Sequence, residues 1–220
     1  LEMDVPACKH FDQCGGCSYQ TLPYEEQVAL KGRQIKRLLE PVLPENSFDD
    51  LFEGVIPSPN QFAYRNKMEF SFGDAYFNGP LSLGMHKRGS FYDIVTVDGC
   101  QIIDEDMRCV LMETLAYFQE RGANYYHKMR HEGYLRHLLV RKAAKTGEIL
   151  VDLVTSSDAR FLQKDATEPA TEVQADALEA LESELLQGWS KRLQEVSYDG
   201  KLTGVLHTRN DRPADVVRWQ

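Results

Sequence analysis

Nowhere in the 220 residues do the roughly 18 to 20 apolar side chains that a membrane-crossing helix needs run together. The first residues lack the basic-then-apolar order of a secretory signal, so the expected setting is the cytoplasm, with no membrane partner. Positive charge is in deficit: 34 acidic residues against 25 basic ones leave a net charge of −9. Whole-surface attraction to a polyanion is therefore excluded, and any nucleic acid has to meet a local patch. No G-x-G-x-x-G occurs, so the glycine-rich turn that holds dinucleotides is missing. Cysteine is scarce and odd in number, at five. In a reducing compartment such cysteines, when closely spaced, point to metal binding or catalysis rather than to disulfides. No internal repeat is found.

What is present begins with "CKHFDQCGGC", residues 8 to 17, which holds Cys8, Cys14 and Cys17 in the spacing C-x5-C-x2-C. A fourth candidate, Cys100, follows in "VDGCQI". Four thiolates suit an iron-sulfur cluster or tetrahedral zinc equally well by ligand type. Spacing favours the cluster, because structural zinc sites usually pair two C-x2-4-C knuckles, whereas here three ligands share one loop and the fourth comes from afar. Gly15 and Gly16 fit that reading, since backbone without a Cβ brings N–H groups close to sulfur. A dithiol formed by Cys14 and Cys17 alone is the rival; the polar residues before it are too few for the buried strand of a thioredoxin-like motif. His10 is a spare nitrogen beside an already complete set of four. Cys109, the remaining cysteine, is expected as a small buried thiol within a helix.

The 42% hydrophobic residues can build a sizeable core. Tyr24, Val28, Ile35, Leu38, Leu39 and Val42 recur at helical spacing, and Pro41 and Pro44 close that helix. From residue 65 the period becomes two, with Met68, Phe70 and Phe72 alternating against Lys67, Glu69 and Ser71. "LSLGMH" and "FYDIVTV" continue as hairpins and end at the turn carrying Cys100. A second helix spans "IDEDMRCVLMETLAYFQERG", with Met107, Val110, Leu111, Thr114, Leu115 and Phe118 as its stripe. Another hairpin turns at Lys145-Thr146-Gly147. The segment "QKDATEPATEVQ" reads as a loop, a third helix runs through Leu178, Trp189 and Leu193, and "LTGVLHTRN" forms a last strand. Meanders without strict strand-helix alternation predict an α+β fold: an antiparallel sheet flanked by helices, with the cysteine-rich loop at its N-terminal side. The expected divisions are 1–20 for the cysteine loop, 21–48 for the helix and 49–220 for the central α+β domain.

Local basic patches follow from the same pass. Between Arg121 and Lys142 six cations, among them Lys128, Arg130, Arg136 and Arg141, face one acid, Glu132, with Tyr125, Tyr126 and Tyr134 between them. Basic residues interleaved with aromatics suit phosphate neutralisation and base stacking on unpaired RNA; a solvated strand face is the plainer alternative. Lys87 and Arg88, at a hairpin tip, and Arg65 and Lys67 complete the candidate RNA contacts.

Taken together, the C-x5-CGGC loop running into "SYQTLPYEEQ", "FAYRNKMEFSFG", "GMHKRGSFYDIVTVDGCQI" and "GVLHTRNDRPADVV" resemble the RNA uracil-5-methyltransferases, specifically the RumA/TrmA-type branch that carries a four-iron four-sulfur cluster. The resemblance implies that Cys8, Cys14, Cys17 and Cys100 are the cluster ligands and that this region binds and shapes RNA, ribosomal rather than transfer. It also implies that helix 24–42 docks on a catalytic domain. That domain, which binds S-adenosyl-L-methionine and supplies the nucleophilic cysteine, is expected to be absent from these residues. The chain alone is then expected to be inactive, and its helix 24–42 to be available for self-association. The reading from a different class is a freestanding iron-sulfur or zinc module with a redox-sensing role.

Overall fold

A computed structural model describes residues 7–45, 47–162 and 172–212. The chain opens with the cysteine loop, then helix α1 (Tyr24–Leu39), a 3-10 turn over Glu40–Val42 and a short helix α2 (Phe48–Leu51). Six strands follow, β1 (Lys67–Asp74), β2 (Leu81–His86), β3 (Ile94–Val95), β4 (Leu135–Lys142), β5 (Glu148–Thr155) and β6 (Lys201–Arg209). Helix α3 (Glu105–Glu120) separates β3 from β4, and α4 (Glu172–Gln194) separates β5 from β6. The strands form one sheet in the order β3-β2-β1-β4-β5-β6.

The α+β class and the mixed composition of sheet and helices agree with the sequence pattern. The all-antiparallel arrangement does not. β5 and β6 pair in parallel, from Glu148 beside Lys201 to Thr155 beside Arg209. A tight hairpin reverses direction, whereas the long excursion through α4 returns the chain to the same end of the sheet, and parallel pairing follows. Helix α4 also starts at Glu172, inside the stretch read as a loop; residues 163–171 of that stretch lie outside the described residues. The expected strand "FYDIVTV" shrinks to Ile94 and Val95. Before it, the Ser90 hydroxyl accepts hydrogen bonds from the backbone N–H groups of Tyr92 and Asp93, and this turn throws Phe91 and Tyr92 off the sheet.

Alternation along the strands sorts the two faces. Phe70, Phe72, Leu83, Leu138 and Val140 point to one side and join Phe118 of α3 and Trp189 of α4 in a single core. Phe72 and Phe118 meet edge to face, with centroids 5.9 Å apart. The core stays polar-satisfied: the Trp189 indole N–H donates to Thr114 Oγ1 at 3.1 Å, and the Tyr117 hydroxyl donates to the Leu185 carbonyl at 2.7 Å. Helix α3 starts on Asp104, whose side chain accepts from the Met107 N–H, and every member of its predicted stripe is buried. Ser71, Gly73, Gly84 and His86 occupy the opposite face. Helix α1, by contrast, buries no residue at all.

The first turn of α3 carries a network of charges. Asp106 is 3% exposed and accepts from Lys142 Nζ at 2.6 Å and from the backbone N–H groups of Asp199 and Gly200, each at 2.8 Å. Burial works against ionisation of Asp106, but Lys142 and the two backbone donors outweigh it and hold the carboxyl below the usual carboxylate range. Lys142 is therefore a structural cation rather than a member of an RNA patch.

Candidate functional site: a four-cysteine pocket and an aromatic pocket

The sheet brings all four predicted cysteines to one place. Cys8, Cys14, Cys17 and Cys100 line a single small cavity of about 20 Å³ together with Met68, Met85 and Val97. The turn that delivers Cys100 is closed by its own N–H donating to the Val97 carbonyl, and Arg108 clamps it by donating to the Cys100 and Ile103 carbonyls at 2.6 and 3.0 Å. The N-terminal loop is tied to β2 and the turn after it. The Gly15 N–H donates to the His86 carbonyl, the Arg88 N–H donates to the Gln13 carbonyl, and the Arg88 guanidinium reaches the Cys17 carbonyl at 2.6 Å. Gly16 donates its N–H toward Cys14 Sγ at 3.3 Å, the kind of contact a thiolate favours.

All five cysteines are free thiols. Burial first, and then the proximity of Cys17 and Cys8, push the Cys14 thiol up; burial likewise raises Cys100. A reactive dithiol needs the reverse, a lowered pKa at an open helix start. Among the described residues no three His, Cys, Asp or Glu side chains already stand as a preformed metal-binding group. His10 lines the same cavity, but its Nε2 lies 2.8 Å from Asp98 Oδ1. Lys9 and then His10 hold Asp98 below the usual carboxylate range. Cys109 departs from its expected buried state: it is half-buried on α3 beside Glu105 and takes no part in the cysteine cavity.

The candidate RNA cations scatter over several places. Arg65 lines the cysteine cavity and donates to the Lys67 carbonyl, and Lys67 pairs with Glu69 at 3.3 Å. Lys87 lies 3.6 Å from Asp93, and Arg88 is the clasp of the cysteine loop described above. Arg141 is exposed on β4, opposite Lys67. Lys128 and Arg130 are exposed in the turn before β4. Arg136 is 3% exposed, its guanidinium stacked 4.3 Å from the Tyr126 ring centroid and donating to the Asn210 and Arg212 carbonyls at 2.6 and 2.8 Å. It is corrected here to a buried anchor, because a guanidinium committed to two carbonyls inside the fold cannot also present itself to phosphate.

Around Tyr126 lies a second pocket, of about 320 Å³, on the sheet face turned away from the helices. Its floor is Ser71, Gly73, His86, Ile94 and His137; its walls are Tyr125, Tyr126, His127 and Lys128 from one segment and Phe77, Phe91 and Tyr92 from the turns flanking β2. Gly133 makes the first wall possible. Its φ is +116°, and a Cβ there would stand 1.9 Å from the Tyr125 carbonyl oxygen, so only glycine lets residues 125–127 lie this close to the start of β4. Sequence reasoning found Tyr125 and Tyr126 but missed the other wall, having assigned Phe91 and Tyr92 to a strand and passed over Phe77; two adjacent aromatics in each of two polar turns, "AYFN" and "SFYD", were the available signal.

No protein-family model matches the chain. Its relatives are nevertheless consistent. A Clostridium tetani protein named as an uncharacterised RNA methyltransferase is 42% identical over 212 residues, covering 96% of this chain and 41% of that protein. The chain is a homologue of RNA methyltransferases. A Clostridium acetobutylicum protein of the same description is 42% identical over 213 residues. The tRNA (uracil(54)-C(5))-methyltransferase of Pyrococcus horikoshii is 32% identical over 148 residues, covering 67% of this chain and 32% of that enzyme. The crystal structure of the Pyrococcus abyssi tRNA (uracil-54, C5)-methyltransferase with S-adenosyl-L-homocysteine superposes with a TM-score of 0.52 at 27% identity, covering 66% of this chain and 32% of that one. The chain thus spans about two fifths of the length of the first two relatives, 41% in each case.

Proposed function

We propose that these residues form the cysteine-bearing, RNA-contacting part of an S-adenosyl-L-methionine-dependent RNA (uracil-5-)-methyltransferase, with ribosomal RNA as the preferred substrate. The observation that carries the proposal is the convergence of Cys8, Cys14, Cys17 and Cys100 on one cavity from two distant parts of the chain. The donor set fits an iron-sulfur cluster: four thiols, an apolar wall of Met68, Met85 and Val97, and a backbone N–H already aimed at sulfur. Loading a 4Fe-4S cluster would require the four thiols to deprotonate. When bound, the cluster supplies a covalent tie between the N-terminal loop and the sheet. Arg88 and Arg108 hold the two backbones that present the ligands.

Uracil C5 becomes nucleophilic only after a thiolate adds at C6, with the methyl donor within bonding reach. Cys109, half-buried, raised in pKa by burial and then by Glu105 and Asp106, is unsuited to that attack. We therefore assign methyl transfer and S-adenosyl-L-methionine binding to the rest of the parent protein, with the exposed α1 stripe of Ile35, Leu38 and Leu39 as its docking face.

Two measurements test this reading. Anaerobically purified parent protein should carry roughly four iron atoms per chain and lose them in Cys100→Ser; stoichiometric zinc would replace the cluster with the zinc alternative. The same preparation should transfer labelled methyl groups to uridine C5 in ribosomal RNA more than in transfer RNA. Absence of 5-methyluridine in both would overturn the enzymatic reading, and a preference for transfer RNA would overturn the substrate.

A further inference from the structure

We propose that the aromatic pocket on the sheet face opposite the helices binds an unstacked base of single-stranded RNA, with Phe91 and Tyr92 on one side and the Tyr125–Lys128 segment on the other. The proposal rests on the RNA-methyltransferase reading for its choice of polymer, but its evidence is separate from the cysteines. At about 320 Å³ the pocket lies within the ~300–1,000 Å³ range of small-ligand sites and has room for a nucleoside. Its mouth is apolar in a way a solvated surface is not: Phe91 is 86% exposed, Phe77 82% and Tyr92 59%, all flanking the same opening. Flat, exposed rings are what a base stacks upon, and every base has a π-face to offer.

Polar groups stand where a base and its phosphate would need them. His127 lines the pocket, and its Nδ1 is buried with no hydrogen-bond partner among the described residues, so a small turn of the ring would bring an unspent nitrogen to a base edge. Lys128 at the wall and Arg130 beside it are exposed cations at the rim, suited to the neighbouring phosphates. The two carboxylates of the pocket are already engaged, Asp74 by the Asn78 N–H at 2.9 Å and Asp93 by Lys87. Tyr126 is stacked against the buried Arg136, which also lines the pocket, so the ring is set before any ligand arrives.

The test uses the 220-residue chain and a fluorescein-labelled single-stranded oligouridylate in an anisotropy titration. Phe91→Ala and Tyr92→Ala should each weaken binding about 10-fold or more, within the range of a lost base–aromatic stack, with thermal midpoints unchanged because both side chains are exposed. Lys128→Glu should weaken binding and flatten its salt dependence, whereas Leu206→Ser on β6 should do neither. Wild-type affinity in both aromatic variants, absence of binding by the wild-type chain, or equal competition by duplex RNA would overturn the pocket. So would protection of residues 76–79 and 91–92 from hydrogen exchange in RNA-free parent protein, since the rest of that protein would then cover the site. A parent protein that fails to methylate RNA while oligouridylate binding still depends on Phe91 sinks the enzymatic reading and leaves the pocket standing.

Discussion

The sheet with α3 and α4 and the N-terminal segment before β1 are built on opposite plans. Phe70, Leu83, Val110, Phe118, Leu138, Val151 and Leu193 are all fully buried in the first. In the second, α1 buries nothing, and Leu38, Val42 and Ile56 stand 71%, 76% and 95% exposed. The first region is stable through its own packing; the second holds a small cluster of its own, with Phe48 buried and stacked on Phe52 at 4.8 Å, and is tied to the sheet by loop contacts such as Ala63 N–H to the Gln101 carbonyl and Arg65 N–H to the Ile102 carbonyl.

That contrast is open to measurement. Trp189→Ala should cost about 3–5 kcal/mol, the usual toll of a large cavity, lowering the global melting temperature measured by circular dichroism. An equal loss from Leu38→Ala on α1 would erase the distinction. Asp106→Asn should cost about 2–3 kcal/mol by leaving buried donors poorly matched. Because the Asp106 carboxyl sits below its unfolded value, its contribution is present above the ordinary carboxylate pKa and is lost as pH falls through the folded one. Acid titration of the wild type should therefore show a destabilising limb below about pH 4 that is blunted in the Asn variant. Arg88→Ala should leave the global melt nearly unmoved, costing about 1 kcal/mol locally, yet hasten proteolytic cleavage within residues 9–19. Leu38→Ser should change stability by less than about 0.5 kcal/mol in the isolated chain.

The depressed pKa of His207 provides a smaller check. Burial is the first cause, opposed by Glu182, and the imidazole lies against Thr155 Oγ1 at 2.8 Å. Stability from this group is full above the ordinary histidine pKa and falls away as pH drops through the folded value. His207→Gln should remove that dependence on the acid side of the ordinary histidine pKa of about 6.5.

Much of this architecture could be read from local pattern. The α3 stripe, the β1 alternation and the Lys145–Gly147 hairpin are short-range features, governed by periods of 3.6 and 2 and by turn chemistry. The pairing of β6 with β5 could not be read this way, since a strand has no local mark of the neighbour it will choose. Grouping Cys8, Cys14 and Cys17 needed only spacing; their meeting with Cys100 depended on where β3 and its turn would lie. Arg136 misled because a cation between aromatics looks the same in sequence whether it faces water or stacks under Tyr126. The second wall of the aromatic pocket stayed hidden because Phe91 and Tyr92 fit a strand equally well until Ser90 caps the turn before it.

Arg136 has one more implication. A single guanidinium both supports the Tyr126 ring and grips the backbone at Asn210 and Arg212, so it acts as a shared rivet. A load that pulls on the chain beyond β6 is felt at the ring, and a wedge that shifts the ring loosens the exit of that strand.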